Sequence, residues 1–170
     1  MAQASNDEIR ILTPSGMLGY GFPIEHFRKG LSLQPHAITI DAGSTDSGPQ
    51  KLGLGEMTCS REAYVKDIEV LLEAQHETGI PLLISSAGGD GTNLHVDVFR
   101  DIIGEIARRR GWRFKLASIC GATGLSRSSI LSIRNTPSRC PFSAAPTISS
   151  RPTISSRPFA LRSFTVASFA

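Results

Sequence analysis

The stretch PLLISSAGGDGTNLH, residues 81–95, decides the fold. Its apolar run ends at Ser85 and Ser86, and three glycines follow within four positions around Asp90. An apolar run that stops at small, flexible residues predicts a buried strand that turns tightly toward a helix. The segment therefore predicts a strand whose C-terminal end carries a glycine-rich loop.

Three more runs predict strands: IRIL (9–12), AITIDAG (37–43) and RFKLASI (113–119). Amphipathic helices are predicted between them, one over 60–79 with Ser60 as N-cap and Gly79 at its end, and one over 93–111. A shorter helix is predicted from Pro23 to Gly30. This alternation predicts an α/β fold, a three-layer Rossmann-like parallel sheet of about four strands. Four strands are few for such a sheet, so we expect an incomplete domain.

The composition changes after residue 120. All fifteen acidic residues lie at or before Glu105, whereas the six charged residues of 121–170 are all arginine and the hexapeptide TISSRP occurs twice, at 147–152 and 153–158. We therefore predict a flexible N-terminus (1–8), a partial α/β domain (9–120) and a Ser/Pro/Arg-rich tail (121–170). The tail is expected to be disordered, or to come from a shifted reading frame or a retained intron.

The charge balance gives no support for a nucleic-acid partner. Residues 1–120 hold twelve basic and fifteen acidic residues, so their net charge is 12 − 15 = −3, although the whole chain is at +3. No apolar run approaches the roughly 20 residues that span a bilayer. Cys59, Cys120 and Cys140 have no metal-like spacing. We expect a cytoplasmic protein with neither a nucleic-acid nor a membrane partner.

The C-terminal ends of parallel strands share one edge of a sheet, where ligands usually bind. Here these ends carry TPSGMLGYGFP (13–23), DAGSTDSGP (41–49) and SAGGDGTNLH (86–95). Glycine amides and small hydroxyls predict a site for an anionic group. The predicted ligand-binding residues are Gly19, Gly21, Asp41, Ser44, Thr45, Gly88 and Gly89. The predicted catalytic residues are Asp46, Asp90 and His95, as acid/base groups or, alternatively, metal ligands or ordinary turn residues.

Local motifs leave other chemistries open. GGDGT (88–92) resembles the signature of NAD kinases and diacylglycerol-type lipid kinases, but the Asn-Glu pair expected after it is absent. DAGST (41–45) resembles a phosphate loop of actin-like ATPases, although a helix rather than a hairpin is expected to follow. Gly19, Gly21 and Asp41 are spaced as in a dinucleotide fold, but Ile24 replaces the third glycine. No cofactor is identified.

Four segments taken together resemble the acyclic terpene utilization protein A family: LTPSGMLGYGFP, ITIDAGSTDSGPQKLGLG, the run from Ser60 to Asp97, and RFKLASI. The resemblance covers residues 9–119, and members of the family are much longer. It implies a role in the catabolism of acyclic terpenes such as citronellol and geraniol. We expect the sheet edge to bind a small acidic or acyl metabolite. The alternatives are a nucleotide-dependent kinase of the GGDGT type and a non-catalytic interaction fragment.

Overall fold

The computed structural model describes residues 8–44, 47–120, 127–132 and 164–168. The helices of this part are α1 (Ile24–Leu31), α2 (Gly48–Leu54), α3 (Arg61–Thr78) and α4 (Asn93–Arg110). The strands are β1 (Ile11–Leu12), β2 (Ala37–Asp41), β3 (Leu82–Ser85), β4 (Lys115–Cys120), β5 (Arg127–Ser132) and β6 (Phe164–Ser168). A short 3₁₀ turn, Ala87–Gly89, lies between β3 and α4.

The α/β fold and its parallel sheet are confirmed. Strands β1, β2 and β3 are parallel neighbours in a sheet of order β1-β2-β3-β6-β4-β5. The register of β2 and β3 sets Asp41 beside Ser85, so both strands end at the same level. β4 runs in the same direction as β3, because each of them is antiparallel to β6. The four strands predicted from the sequence therefore share one direction.

The two long helices begin and end where their capping residues predict. The Ser60 hydroxyl accepts a hydrogen bond from the Ala63 amide at 3.3 Å, and α3 ends at Gly79 with a φ of 71°. In α4, the Thr92 hydroxyl accepts from the His95 amide at 3.4 Å. Helix α2 was not predicted, because its sequence, GPQKLGL, contains two glycines and no apolar stripe.

The core lies between the sheet and helices α3 and α4. Alternate strand residues such as Ile38, Ile40 and Ile84 are buried, as are the apolar stripes of both helices. The residues between them, such as Thr39 and Leu83, are only partly buried. Helices α3 and α4 thus pack on the strands that carry these alternate buried residues.

The predicted disordered tail falls largely on residues outside the described ranges, as does the predicted flexible N-terminus. The two described segments of the tail are strands. β6 pairs with both β3 and β4, and β5 pairs with the other side of β4. Strands with free edges offer unpaired backbone groups to any extended segment, which explains why these two segments add to the sheet.

Candidate functional site

The three loops predicted to form the site lie against one another at the C-terminal edge of the sheet. The Leu18 amide in the first loop donates to the Asp41 carbonyl at 2.8 Å, and the Ala42 amide in the second donates to the Ser85 carbonyl at 2.9 Å. Gly43 lies against the third loop so closely that a Cβ there would be 2.9 Å from the Gly89 carbonyl oxygen. The glycine at this position therefore allows the second and third loops to meet.

In the first loop, the glycine amides bind a carboxylate of the protein itself. The amides of Gly19 and Gly21, whose φ values are 99° and 75°, donate to Asp67 Oδ2 at 2.8 and 3.0 Å. Asp67 belongs to α3 and is 4% exposed. Both amides therefore have an acceptor within the protein, and the predicted role of these glycines in ligand binding stays a prediction. Asp67 was missed because a charged helix residue ordinarily indicates a solvated face.

In the second loop, the side chain of Asp41 accepts hydrogen bonds that fix the loop's conformation. Asp41 Oδ1 accepts from the Gly43 amide at 3.1 Å and from the Ser85 hydroxyl at 2.8 Å. The Ser44 carbonyl accepts from the Gly48 amide at 2.9 Å, at the start of α2. Asp41 and Ser44 therefore lie at the predicted edge, with Asp41 acting as a structural acceptor. Thr45 and Asp46 lie outside the described residues.

The third loop contains a buried acid–imidazole pair. His95 Nδ1 lies 2.7 Å from Asp90 Oδ1, and the two side chains are 4% and 0% exposed. The same Asp90 oxygen accepts from the Thr92 amide at 2.9 Å. The structure thus brings together two of the three residues predicted to be catalytic.

The electrostatics of this pair fix the tautomer of the imidazole. Burial alone raises the pKa of Asp90, but the hydrogen bonds from His95 and the Thr92 amide outweigh it and hold that pKa below its ordinary value. The carboxylate is therefore ionised at neutral pH and can only accept hydrogen bonds, so Nδ1 of His95 is the donor. Nε2 is then the ring nitrogen that Asp90 does not contact. No described residue provides a hydrogen-bond partner for Nε2.

Two glycines of the third loop make room for their neighbours. A Cβ at Gly88 would lie 2.6 Å from Cγ of His95, and a Cβ at Gly89 would lie 2.0 Å from the Thr58 hydroxyl. The Gly89 amide donates to the Ser86 carbonyl at 2.7 Å, so it too is satisfied within the protein. Gly88 therefore permits close packing on His95 and Gly89 permits close packing on Thr58, while their predicted role in ligand binding stays a prediction.

Several buried polar atoms at this edge have no protein partner. They are Asp90 Oδ2, Ser47 Oγ and Asn93 Oδ1, which border the second and third loops. Atoms of this kind need a water molecule or a ligand to complete their hydrogen bonds. This edge of the sheet therefore contains buried oxygens that a small polar ligand could contact.

Within the described ranges, no three His, Cys, Asp or Glu side chains come together as a set of metal ligands. None of the described helices is both long enough and apolar enough to cross a membrane.

No protein-family model, curated protein or solved structure matches this chain. The resemblance to the acyclic terpene utilization family therefore stays a prediction.

Proposed function

We propose that the C-terminal edge of the sheet binds a small acidic or acyl metabolite, and that His95 is the acid–base group of this site. The observation that carries the proposal is the 2.7 Å contact between His95 Nδ1 and Asp90 in an almost fully buried pair. An ionised carboxylate behind one ring nitrogen orients the imidazole and stabilises its protonated form during proton transfer. The other nitrogen, Nε2, then serves as the base.

The position of the pair supports a ligand site. His95 is the third residue of α4, next to the loop that follows β3, and the ends of β2 and β3 meet there. In open parallel sheets this edge is where ligands bind. The unpartnered oxygens of Asp90, Ser47 and Asn93 add polar groups for a ligand to satisfy.

The backbone favours an acyl group over a phosphate. A phosphate loop needs several free amides, whereas the amides of Gly19, Gly21, Gly43 and Gly89 all donate within the protein. A carbonyl or a single carboxylate needs only one or two donors. The kinase alternative has less support for the same reason, and also because Asp90, its predicted metal-linked residue, is bound to His95.

Titration calorimetry with citronellic acid and with its coenzyme A thioester tests the proposal. We expect the wild-type chain to bind one of the two, and His95→Gln to weaken this binding at least tenfold. His26→Gln is the matched control, because His26 lies exposed on α1 and should leave the affinity unchanged. Failure of the wild-type chain to bind either compound contradicts the proposal. Binding of Mg-ATP that Asp90→Ala weakens would support the kinase instead.

We extend the proposal to the biological role that the sequence resemblance implies. A protein that binds terpenoid acids or their thioesters has a place in the breakdown of acyclic terpenes. The third possibility, a non-catalytic interaction fragment, predicts self-association in place of ligand binding. Light scattering that shows a clean monomer, together with a calorimetric signal, favours the metabolite site.

A further inference from the structure

The backbone of Ser86 is held in an unusual conformation at the same edge. Its φ is 50° and its ψ is 47°, which is the left-handed region. In the described part of the chain, Gln34 is the one other non-glycine residue with positive φ. An L-residue in this region is strained, and such strain persists where the surrounding structure imposes it, often at functional sites.

The surroundings of Ser86 show how the strain is imposed. Ser86 is the first residue after β3, and its carbonyl accepts from the Gly89 amide at 2.7 Å, which closes the turn. On the other side lies Gly43, where a Cβ would be 2.8 Å from Ser86 Cβ and 3.3 Å from its hydroxyl oxygen. Gly43 thus leaves room for a serine side chain where the second and third loops meet.

Glycine would adopt this backbone conformation without strain, and the same loop uses glycine at 88, 89 and 91 with positive φ. The serine therefore needs a reason beyond the turn itself. No described residue forms a hydrogen bond with its hydroxyl, and the residue is only half-buried. The hydroxyl is thus free to contact a ligand.

We propose that Ser86 is a ligand-contacting residue whose hydroxyl donates a hydrogen bond to the carbonyl oxygen of an acyl ligand bound beside His95. This inference rests on the proposed function and names the group of the ligand that the third loop recognises. The His95 ring packs against Gly88, two residues after Ser86, so the same turn carries the hydroxyl and supports the imidazole. A hydroxyl donor suits an acyl carbonyl, since that oxygen can only accept.

Two substitutions separate the hydroxyl from the backbone strain. Ser86→Gly removes both, and Ser86→Ala removes only the hydroxyl. We expect both variants to bind the coenzyme A thioester of citronellic acid about tenfold more weakly than wild type, as for the loss of one hydrogen bond. Ser86→Gly should also raise the melting temperature by a few degrees. The strain energy removed from the folded state is larger than the additional chain entropy that glycine loses on folding.

Gln34→Gly is the matched control, since it relieves the same kind of strain at an exposed position between α1 and β2. It should raise the melting temperature and leave thioester binding unchanged. If the wild-type chain binds the thioester and both Ser86 variants bind it equally well, the role of Ser86 is overturned while the proposed function stands. A lower melting temperature for Ser86→Gly also overturns it, because the serine would then serve the fold. If the wild-type chain binds neither acid nor thioester, both proposals fall.

Discussion

The loops after β1 and β3 look alike in sequence but differ in what their polar groups do. In the first loop, the amides of Gly19 and Gly21 close on Asp67, a buried carboxylate of α3. The third loop carries its own carboxylate and imidazole, Asp90 and His95, and leaves atoms of both without a protein partner. A glycine-rich turn at a sheet edge therefore offers hydrogen-bonding groups to a ligand only where those groups have no partner within the protein.

The largest effect is expected at Gly88. Gly88→Ala combines a positive φ of 72° with a Cβ 2.6 Å from the His95 ring, so we expect a loss of about 3 kcal/mol from strain and overpacking. Gly21→Ala is the control, since its φ of 75° is similar and its Cβ would meet nothing within 4 Å. Urea unfolding should show a loss of only about 1 kcal/mol there. Equal losses for the two variants would contradict the packing of His95 on Gly88.

The next effect concerns the acid that closes the first loop. Asp67→Ala leaves the amides of Gly19 and Gly21 without their acceptor, and we expect about 2–3 kcal/mol of destabilisation in urea unfolding. Asp67→Asn keeps one acceptor oxygen and should lose less. Neither change should shift the imidazole NMR signals of His95, because Asp67 is hydrogen-bonded to the first loop and not to the Asp90–His95 pair. A shift of those signals with Asp67→Asn would show that the two loops are coupled.

A smaller effect is expected from pH at Asp90. The pKa of Asp90 is lower in the folded protein than in the unfolded chain, so the unfolded state binds more protons as the pH falls. The stability that Asp90 contributes is therefore complete above about pH 4 and is lost as the pH falls through the folded pKa. Urea unfolding between pH 2 and 7 should show a shallower acid-side slope for Asp90→Asn than for wild type. Identical slopes would contradict the pairing with His95.

The smallest effect is expected at a surface carboxylate. Glu69 accepts hydrogen bonds from Arg109 at 2.6 Å and from Arg110 at 2.8 Å. Burial raises the pKa of Glu69, but the hydrogen bonds and charges of these two arginines outweigh burial. The pKa of Glu69 therefore lies below its usual range. Both arginine side chains are more than two-fifths exposed, so solvent and salt screen the pair. Glu69→Gln should lower the stability by less than about 1 kcal/mol, and by less still in high salt. If Glu69→Gln lowered the stability as much as Asp67→Ala does, the prediction that a surface acid stabilises the fold less than a buried one would be wrong.

The regular elements could be predicted from the sequence where local signals agree with the packing. The ends of α3 could be predicted from Ser60 and Gly79, because capping interactions involve residues only a few positions apart. Helix α2 has no apolar periodicity that would predict a helix. The positions of β5 and β6 in the sheet depend on pairing with distant strands, which no local sequence pattern encodes.

The meeting of the three loops at one edge of the sheet could be predicted, but the hydrogen-bond partners of their glycines could not. Which acceptor a backbone amide meets depends on the tertiary structure, as with Gly19 and Asp67. One signal was available, because Asp67 lies three residues after Tyr64 and four before Leu71, within the apolar stripe of α3. An acid on a buried stripe indicates a structural partner. The backbone conformation of Ser86 has no signal in the sequence.

The proposed role of His95 as the acid–base group of a ligand site is tested most directly by ¹⁵N NMR of the imidazole rings. In the free protein, we predict that Nδ1 of the His95 ring carries a proton, which it donates to Asp90. Addition of citronellic acid or its coenzyme A thioester should shift the Nε2 signal of His95 and leave those of His26 and His36 in place. A ligand that binds without moving the His95 signal, or a ring protonated at Nε2 and unprotonated at Nδ1, would contradict this role of His95.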